Sequence, residues 1–178
     1  MGKWICLLVL LSTCMAAPVA VAESIAPDEG YLLLAVDTNF DLRRVEVRNN
    51  HWNTVDSPRD MTANKVHYYL YKLKAGTYWI GQIQPEYKSN RRYFRSWREV
   101  NEMRVVAGQI NYPGTLIIRI NDYATSFQSF RHNRATQALH WMESHHADLM
   151  EQMDFKFEGA APDGFAQYLK QVRQGSEP

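Results

Sequence analysis

The sequence has 178 residues, of which 46% are hydrophobic, and its 20 Lys and Arg against 19 Asp and Glu give a net charge of +1. A nearly neutral chain has no overall positive field, so we expect no nucleic acid among its partners. The length favours one domain with an appended helical segment.

The first 22 residues have the three parts of a secretory signal. A basic start at Lys3 precedes an apolar run over residues 4–11, and small residues end in Ala20-Val21-Ala22. This pattern predicts a signal peptide over residues 1–22, cleaved between Ala22 and Glu23. The run is shorter than the roughly 20 apolar residues that span a bilayer. No later stretch approaches that length, so we expect no transmembrane helix in the mature chain.

Both cysteines, Cys6 and Cys14, precede this cleavage site. A mature chain that begins at Glu23 therefore has no disulfide, thiolate nucleophile or cysteine metal site. An exported protein without disulfides suits the bacterial periplasm better than an animal extracellular space. Leu11-Ser12-Thr13-Cys14 also resembles a lipoprotein box, so the alternative is processing at Cys14, which would leave a lipid-anchored protein.

The segment after the leader has strand patterns. Residues 31–36 form a continuous apolar run that predicts a buried strand, and residues 42–48 alternate like a half-buried strand. Residues 49–64 are rich in Asn and Asp and predict a long loop. Two strong strands, 65–73 and 77–83, flank Lys74-Ala75-Gly76, which predicts a β-hairpin.

Further short strands are predicted near residues 93–97, 102–106, 110–112 and 115–120, which brings the total to about seven. After these strands, the apolar residues recur at helical spacing. Asn133 suits a helix N-cap, and an apolar stripe predicts a helix from Arg134 to Met153. Pro162 suits the first position of a second helix.

These elements predict a mainly β fold with C-terminal α structure. We expect a seven-stranded or so antiparallel β-sandwich, followed by two helices packed on it. The domain divisions are a signal peptide over 1–22, a sandwich over 23–125 and a C-terminal helical extension over 126–178, packed on the same domain.

Two turn phrases carry a family resemblance. Leu73-Lys74-Ala75-Gly76-Thr77-Tyr78 resembles the hairpin of transthyretin-like and carboxypeptidase-regulatory-like β-sandwiches. Residues 106–115, VAGQINYPGT, resemble a phrase in small uncharacterised bacterial exported proteins and lipoproteins. The resemblance covers roughly residues 30–120. It implies a sandwich of about seven strands and no particular catalytic activity, and the C-terminal helices depart from it.

The densest candidate binding segment is residues 91–98, which contain four Arg and three aromatic residues among eight. Guanidinium groups bind phosphate and carboxylate, and they stack on aromatic rings. If the segment is a strand, Phe94 packs inward and its neighbours face out. The alternative is an edge strand whose charges are only solvated. The candidate binding residues are Arg91, Arg92, Tyr93, Arg95, Trp97 and Arg98, with Trp52 from the long loop.

A second candidate surface is the aromatic pair of strands, with Tyr68, Tyr69, Tyr71, Tyr78 and Trp79. Alternation places one set of these rings in the core and directs the other outward. The outward set is either a ligand surface or a second core covered by the C-terminal helices.

The predicted helix carries three histidines and, between them, a glutamate, which are residue types that can bind a metal ion. Among His140, His145, His146 and Glu143, only Glu143 and His146 have a chelating spacing, and His146 lies in the apolar stripe. We therefore expect no metal site and no cofactor.

The sequence has no G-x-S-x-G, H-E-x-x-H or P-loop pattern, so nothing in it indicates an enzyme. We predict a non-enzymatic periplasmic or cell-envelope module that binds a protein partner or an anionic envelope component. The first alternative is a binder of anionic lipid headgroups or glycan phosphates through the Arg and aromatic segment. The second is an uncharacterised periplasmic hydrolase.

Overall fold

The structure, a computed structural model, describes residues 25–86, 94–95 and 101–159. These residues form two six-stranded sheets, here named sheet A and sheet B, and two helices. The strands are β1 Glu29–Thr38, β2 Leu42–Asn49, β3 Thr54–Asp56, β4 Arg59–Met61, β5 Lys65–Lys74, β6 Gly76–Pro85, β7 Phe94–Arg95, β8 Glu102–Val105, β9 Gln109–Tyr112, β10 Thr115–Ile120, β11 Phe127–His132 and β12 Asp154–Phe157. The helices are α1 Ala135–His145 and α2 Ala147–Gln152.

Sheet A is built around β1. Along one edge β1 pairs with β5, antiparallel, from Glu29 opposite Lys74 to Thr38 opposite Lys65. Along the other edge it pairs in parallel, first with β9 and then with β10. Pro113 and Gly114 separate those two strands, and Gly114 has φ +96°, which favours glycine. β12 and β11 continue the sheet beyond β9 and β10.

Sheet B is antiparallel and is built around β2 and β6. β3 and β4 flank β2, whereas β7 and β8 flank β6. The pairing of β2 with β6 shifts register between Leu42 and Arg44 and again between Glu46 and Val47. Such bulges turn side chains away from their regular alternation.

Two hydrophobic cores lie on opposite faces of sheet A. Leu32, Leu34 and Val36 pack against sheet B, which makes the sandwich. Leu33 and Ala35 face the other way and pack against α1. Because β1 is buried on both faces, its sequence is a continuous apolar run rather than an alternation. The predicted mainly β sandwich followed by helices is confirmed.

The predicted β5–β6 hairpin is wrong. β5 pairs with β1 in sheet A, β6 pairs with β2 in sheet B, and Ala75 connects them across the sandwich. A tight turn between two alternating strands is compatible with a hairpin within one sheet and also with a crossing from one sheet to the other. Tyr69 and Tyr71 pack into the core between the sheets, whereas Tyr68 stacks on Trp141 of α1, with ring centroids 5.1 Å apart.

The elements also differ from the predictions in detail. The described residues form twelve strands rather than about seven, and three strand pairs are parallel. The predicted loop 49–64 contains β3 and β4, and the helix predicted over 134–153 is interrupted at His146. β11 and β12, beyond residue 125, belong to sheet A. The helix predicted at Pro162 lies outside the described residues. In the described part of the chain, neither helix has the length and apolar character to span a bilayer.

Candidate functional site

The face of sheet B that points away from sheet A carries a cluster of charged side chains. Val45, Val47 and Ile80 point into the core, so their neighbours along β2 and β6 point outward. The strand register puts five arginines and two glutamates on this outer surface, which we name the Arg face. They are Arg44, Arg48, Arg59, Arg95 and Arg104, with Glu46 and Glu102.

A cleft opens at the β4 end of the Arg face, with a volume of about 360 Å³. The bulge after Leu42 makes it possible, because it keeps both Arg43 and Arg44 out of the core. Arg44 also pairs with Arg59 of β4, which brings a third guanidinium to the same place. We name this feature the Arg44 cleft; it is lined by Arg43, Arg44, Arg59, Asp60 and Gln84.

One arginine that lines the Arg44 cleft has a hydrogen-bond donor without a partner. The Nε of Arg44 is buried and has no hydrogen-bond partner among the described residues. A buried donor without a partner costs about 1–3 kcal/mol, so it calls for an explanation. Asp60 is the sole acidic group among the described residues that line the cleft, against three arginines. The arrangement can accept a group with several anionic oxygens.

Further along β2, Glu46 and Arg48 form an ion pair on the same face. Arg48 donates from one terminal nitrogen to both carboxylate oxygens of Glu46, at 3.2 Å each, and Thr54 donates its hydroxyl to the same carboxylate. Glu46 is only 6% exposed. The Arg48 side chain lies over Gly81, where a Cβ would come within 2.6 Å of it. Its Nε is buried without a partner among the described residues.

Two tryptophans adjoin this ion pair. Trp79 is opposite Arg48 in the strand register and is 1% exposed, yet it belongs to neither core. Trp52, in the turn between β2 and β3, meets it edge to face, with centroids 5.2 Å apart and planes at 78°. Trp52 is 65% exposed.

Two of the predicted binding residues can be placed. Arg95 is exposed on the Arg face opposite Gln82, and Phe94 packs inward against Phe127, as expected for a strand. Trp52 lies on the β3 side of the same sheet. The others, Arg91, Arg92, Tyr93, Trp97 and Arg98, lie outside the described residues, as do Ala22 and Glu23 of the predicted cleavage site.

Sequence reasoning missed every residue of the Arg44 cleft and of the adjoining ion pair as site residues, namely Arg43, Arg44, Arg59, Asp60, Gln84, Glu46 and Arg48. The available signal was the Arg43-Arg44 pair, because two consecutive arginines break the alternation of a half-buried strand. Arg59 could not be connected with them, since its strand was predicted as loop.

Two histidines of the helical layer, His145 and His146, take structural positions. His145 stacks on Trp141, with centroids 4.7 Å apart, and its Nδ1 lies 2.9 Å from the Trp141 carbonyl oxygen. His146 occupies the break between α1 and α2. Across residues 25–86, 94–95 and 101–159, no three His, Cys, Asp or Glu residues form a group that could hold a metal ion.

No known protein family matches the chain, and neither does any curated protein.

Proposed function

We propose that this protein is a non-enzymatic binding module of the cell envelope, and that the Arg44 cleft binds an anionic group of its ligand. The observation that supports the proposal is the buried, unpartnered Nε of Arg44, in a cleft with two further arginines. The shared chemistry of the ligand is a phosphate or carboxylate group, which guanidinium groups bind with paired hydrogen bonds.

The distribution of charge supports binding of an anionic group at this cleft. With the residues of the Arg44 cleft included, the outer surface of sheet B carries six arginines against Glu46, Glu102 and Asp60, although the whole chain is nearly neutral. This local excess gives an anion a directed attraction that composition alone does not reveal. Each charged hydrogen bond contributes about 1.5–3 kcal/mol, so removing one guanidinium should weaken binding by roughly 10- to 100-fold.

The test is a titration with inorganic phosphate at low ionic strength, followed by backbone amide NMR shifts. Arg44→Gln and Arg59→Gln should each weaken phosphate binding at least tenfold. Arg104→Gln is the matched control, because it removes an exposed arginine of the same face outside the cleft. Added NaCl should weaken binding to the unaltered protein. Equal affinity of Arg44→Gln and the unaltered protein would refute the proposal.

Export to the envelope is part of the proposal and rests on the signal pattern of residues 1–22. Expression with the full leader, followed by intact mass of the mature protein, tests it. A chain beginning at Glu23 supports a free periplasmic protein, and an acylated chain beginning at Cys14 supports the lipid-anchored alternative. A chain that keeps Met1 to Ala22 contradicts export.

A protein partner is the second candidate, and the exposed position of Arg95 on the Arg face supports it. Arginines and aromatic residues contribute most of the binding energy in many protein interfaces. Arg95→Glu combined with Arg98→Glu should abolish capture of a partner in a pull-down while the fold survives. A partner retained by the double variant would exclude this surface.

A further inference from the structure

We infer that the ligand is an acidic oligosaccharide, with one sugar ring against Trp52 and an anionic substituent in the Arg44 cleft. This inference rests on the proposed function and names the class of ligand.

The backbone presents the Trp52 ring to solvent at an energetic cost. Trp52 has φ +62°, a left-handed conformation that costs a bulky residue about 1–2 kcal/mol. Asn49 holds the turn, because its carbonyl accepts from the Trp52 N–H at 2.9 Å and its side chain accepts from His51 and Asn53. Glycine would satisfy this turn without strain. Beyond its contact with Trp79, the strained Trp52 remains 65% exposed, which leaves its ring available to a ligand.

The groups beside Trp52 suit sugar hydroxyls, which both donate and accept hydrogen bonds. Arg48 supplies donors, and its contact with the buried Glu46 carboxylate holds it in place. The strand register puts Arg48 opposite Thr54 on one side and opposite Trp79 on the other. A flat aromatic ring with a few fixed polar groups is a recurrent design for small-molecule sites, and the indole ring can cover the C–H face of a pyranose.

A ligand that contacts both ends of the Arg face must be extended. Arg44 and Arg48 lie on the same face of one strand, four residues apart, which corresponds to about 13 Å. A single phosphate or carboxylate group cannot reach both. The excess of arginine over acidic residues on the Arg face favours an acidic chain over a neutral one.

The key variant is Trp52→Gly, which removes the ring and also relieves the strained backbone, so the fold should be retained. The probes are a sulfated dextran hexasaccharide, a neutral dextran hexasaccharide and inorganic phosphate, each titrated by calorimetry. We expect the sulfated hexasaccharide to bind the unaltered protein more tightly than phosphate does. Trp52→Gly should weaken that binding about tenfold and leave phosphate binding unchanged, and Trp52→Phe should restore part of the loss.

The outcomes separate this inference from the proposed function. Phosphate binding that depends on Arg44, together with hexasaccharide binding that Trp52→Gly leaves unchanged, would overturn the inference and keep the proposed function. If neither phosphate nor the sulfated hexasaccharide binds, both fail. Equal affinity for neutral and sulfated hexasaccharides would contradict the acidic ligand. Trp52-dependent sedimentation with phosphatidylglycerol vesicles, without hexasaccharide binding, would replace the glycan with a lipid surface.

Discussion

Asp37 and Arg134 connect the sheet to the helical layer through an ion pair of 2.7 Å between β1 and the N-cap of α1. Asp37 also accepts from Arg119 of β10 at 3.0 Å, so one carboxylate joins three elements. Burial raises the pKa of Asp37, but the hydrogen bonds and charges of Arg119 and Arg134 outweigh that effect and hold the pKa below its ordinary value of 3.8.

The first prediction concerns acid stability. Because the folded pKa of Asp37 is depressed, its contribution is present above the unfolded pKa and is lost as the pH falls through the lower folded pKa. At neutral pH, Asp37→Asn should destabilise the protein by about 1–2 kcal/mol, a range reduced because both arginines are partly exposed. This difference should shrink as the pH falls below about 4.

Thermal unfolding of both proteins from about pH 6 to about pH 2 measures the effect. Asp122→Asn is the control, since it removes an exposed carboxylate without an ion pair among the described residues. A stability difference between Asp37→Asn and the unaltered protein that stays constant over this range would contradict the assignment.

The sequence patterns predicted where strands and helices lie better than they predicted which strands pair with each other. The apolar run over 31–36 correctly indicated a buried strand, but it could not show that two layers bury it. The pattern around Gly76 predicted a tight turn, yet local sequence does not specify which strands pair across the sandwich. No Pro or Gly marks the break at His146, so the apolar stripe over residues 134–153 predicted one continuous helix.

The candidate site was only partly predictable for a related reason. Alternation of Arg44, Glu46 and Arg48 indicated an exposed strand face, and this is where the Arg face lies. The cleft, however, depends on a bulge and on β4, and neither has a periodic signal in the sequence. Trp52 was recognised as a candidate, although its left-handed backbone and its contact with Trp79 appear only in the fold.

The second prediction concerns the docking of α1 on sheet A. Met142 is fully buried in the outer core with Leu139 and Ala138. Met142→Ala should cost about 2–5 kcal/mol, because it removes apolar contacts and leaves a cavity. Gln137→Ala on the exposed side of the same helix should change stability by less than about 0.5 kcal/mol. Urea unfolding of the two variants measures the contrast, and equal costs would argue against a packed helical layer.

The third prediction concerns a buried amide. Asn111 is 0% exposed; its nitrogen donates to the carbonyls of Tyr31, Val106 and Gln109, and its oxygen accepts from the Val106 N–H. Asn111→Ala leaves these backbone groups without partners and should cost about 2–4 kcal/mol.

Asn121→Ala is the matched control for this variant. Asn121 makes similar bonds to Thr125 and Ser126, but in an exposed turn where water can replace them. Its loss should cost less than about 1 kcal/mol in denaturant unfolding. If Asn111→Ala is as stable as Asn121→Ala, the turn at residues 106–109 does not depend on the amide.

The last prediction uses Gly81 to test the two parts of the Arg face separately. A methyl group at Gly81 would come within 2.6 Å of Cδ and Nε of Arg48, so Gly81→Ala must displace that side chain from its place beside Glu46. Because Arg48 is flexible and partly exposed, the stability cost should stay below about 1 kcal/mol. The Arg44 cleft does not include Gly81. Gly81→Ala should therefore keep its affinity for phosphate and lose affinity for the sulfated hexasaccharide in calorimetry. Loss of both affinities would mean that the two ends of the face do not act as separate subsites.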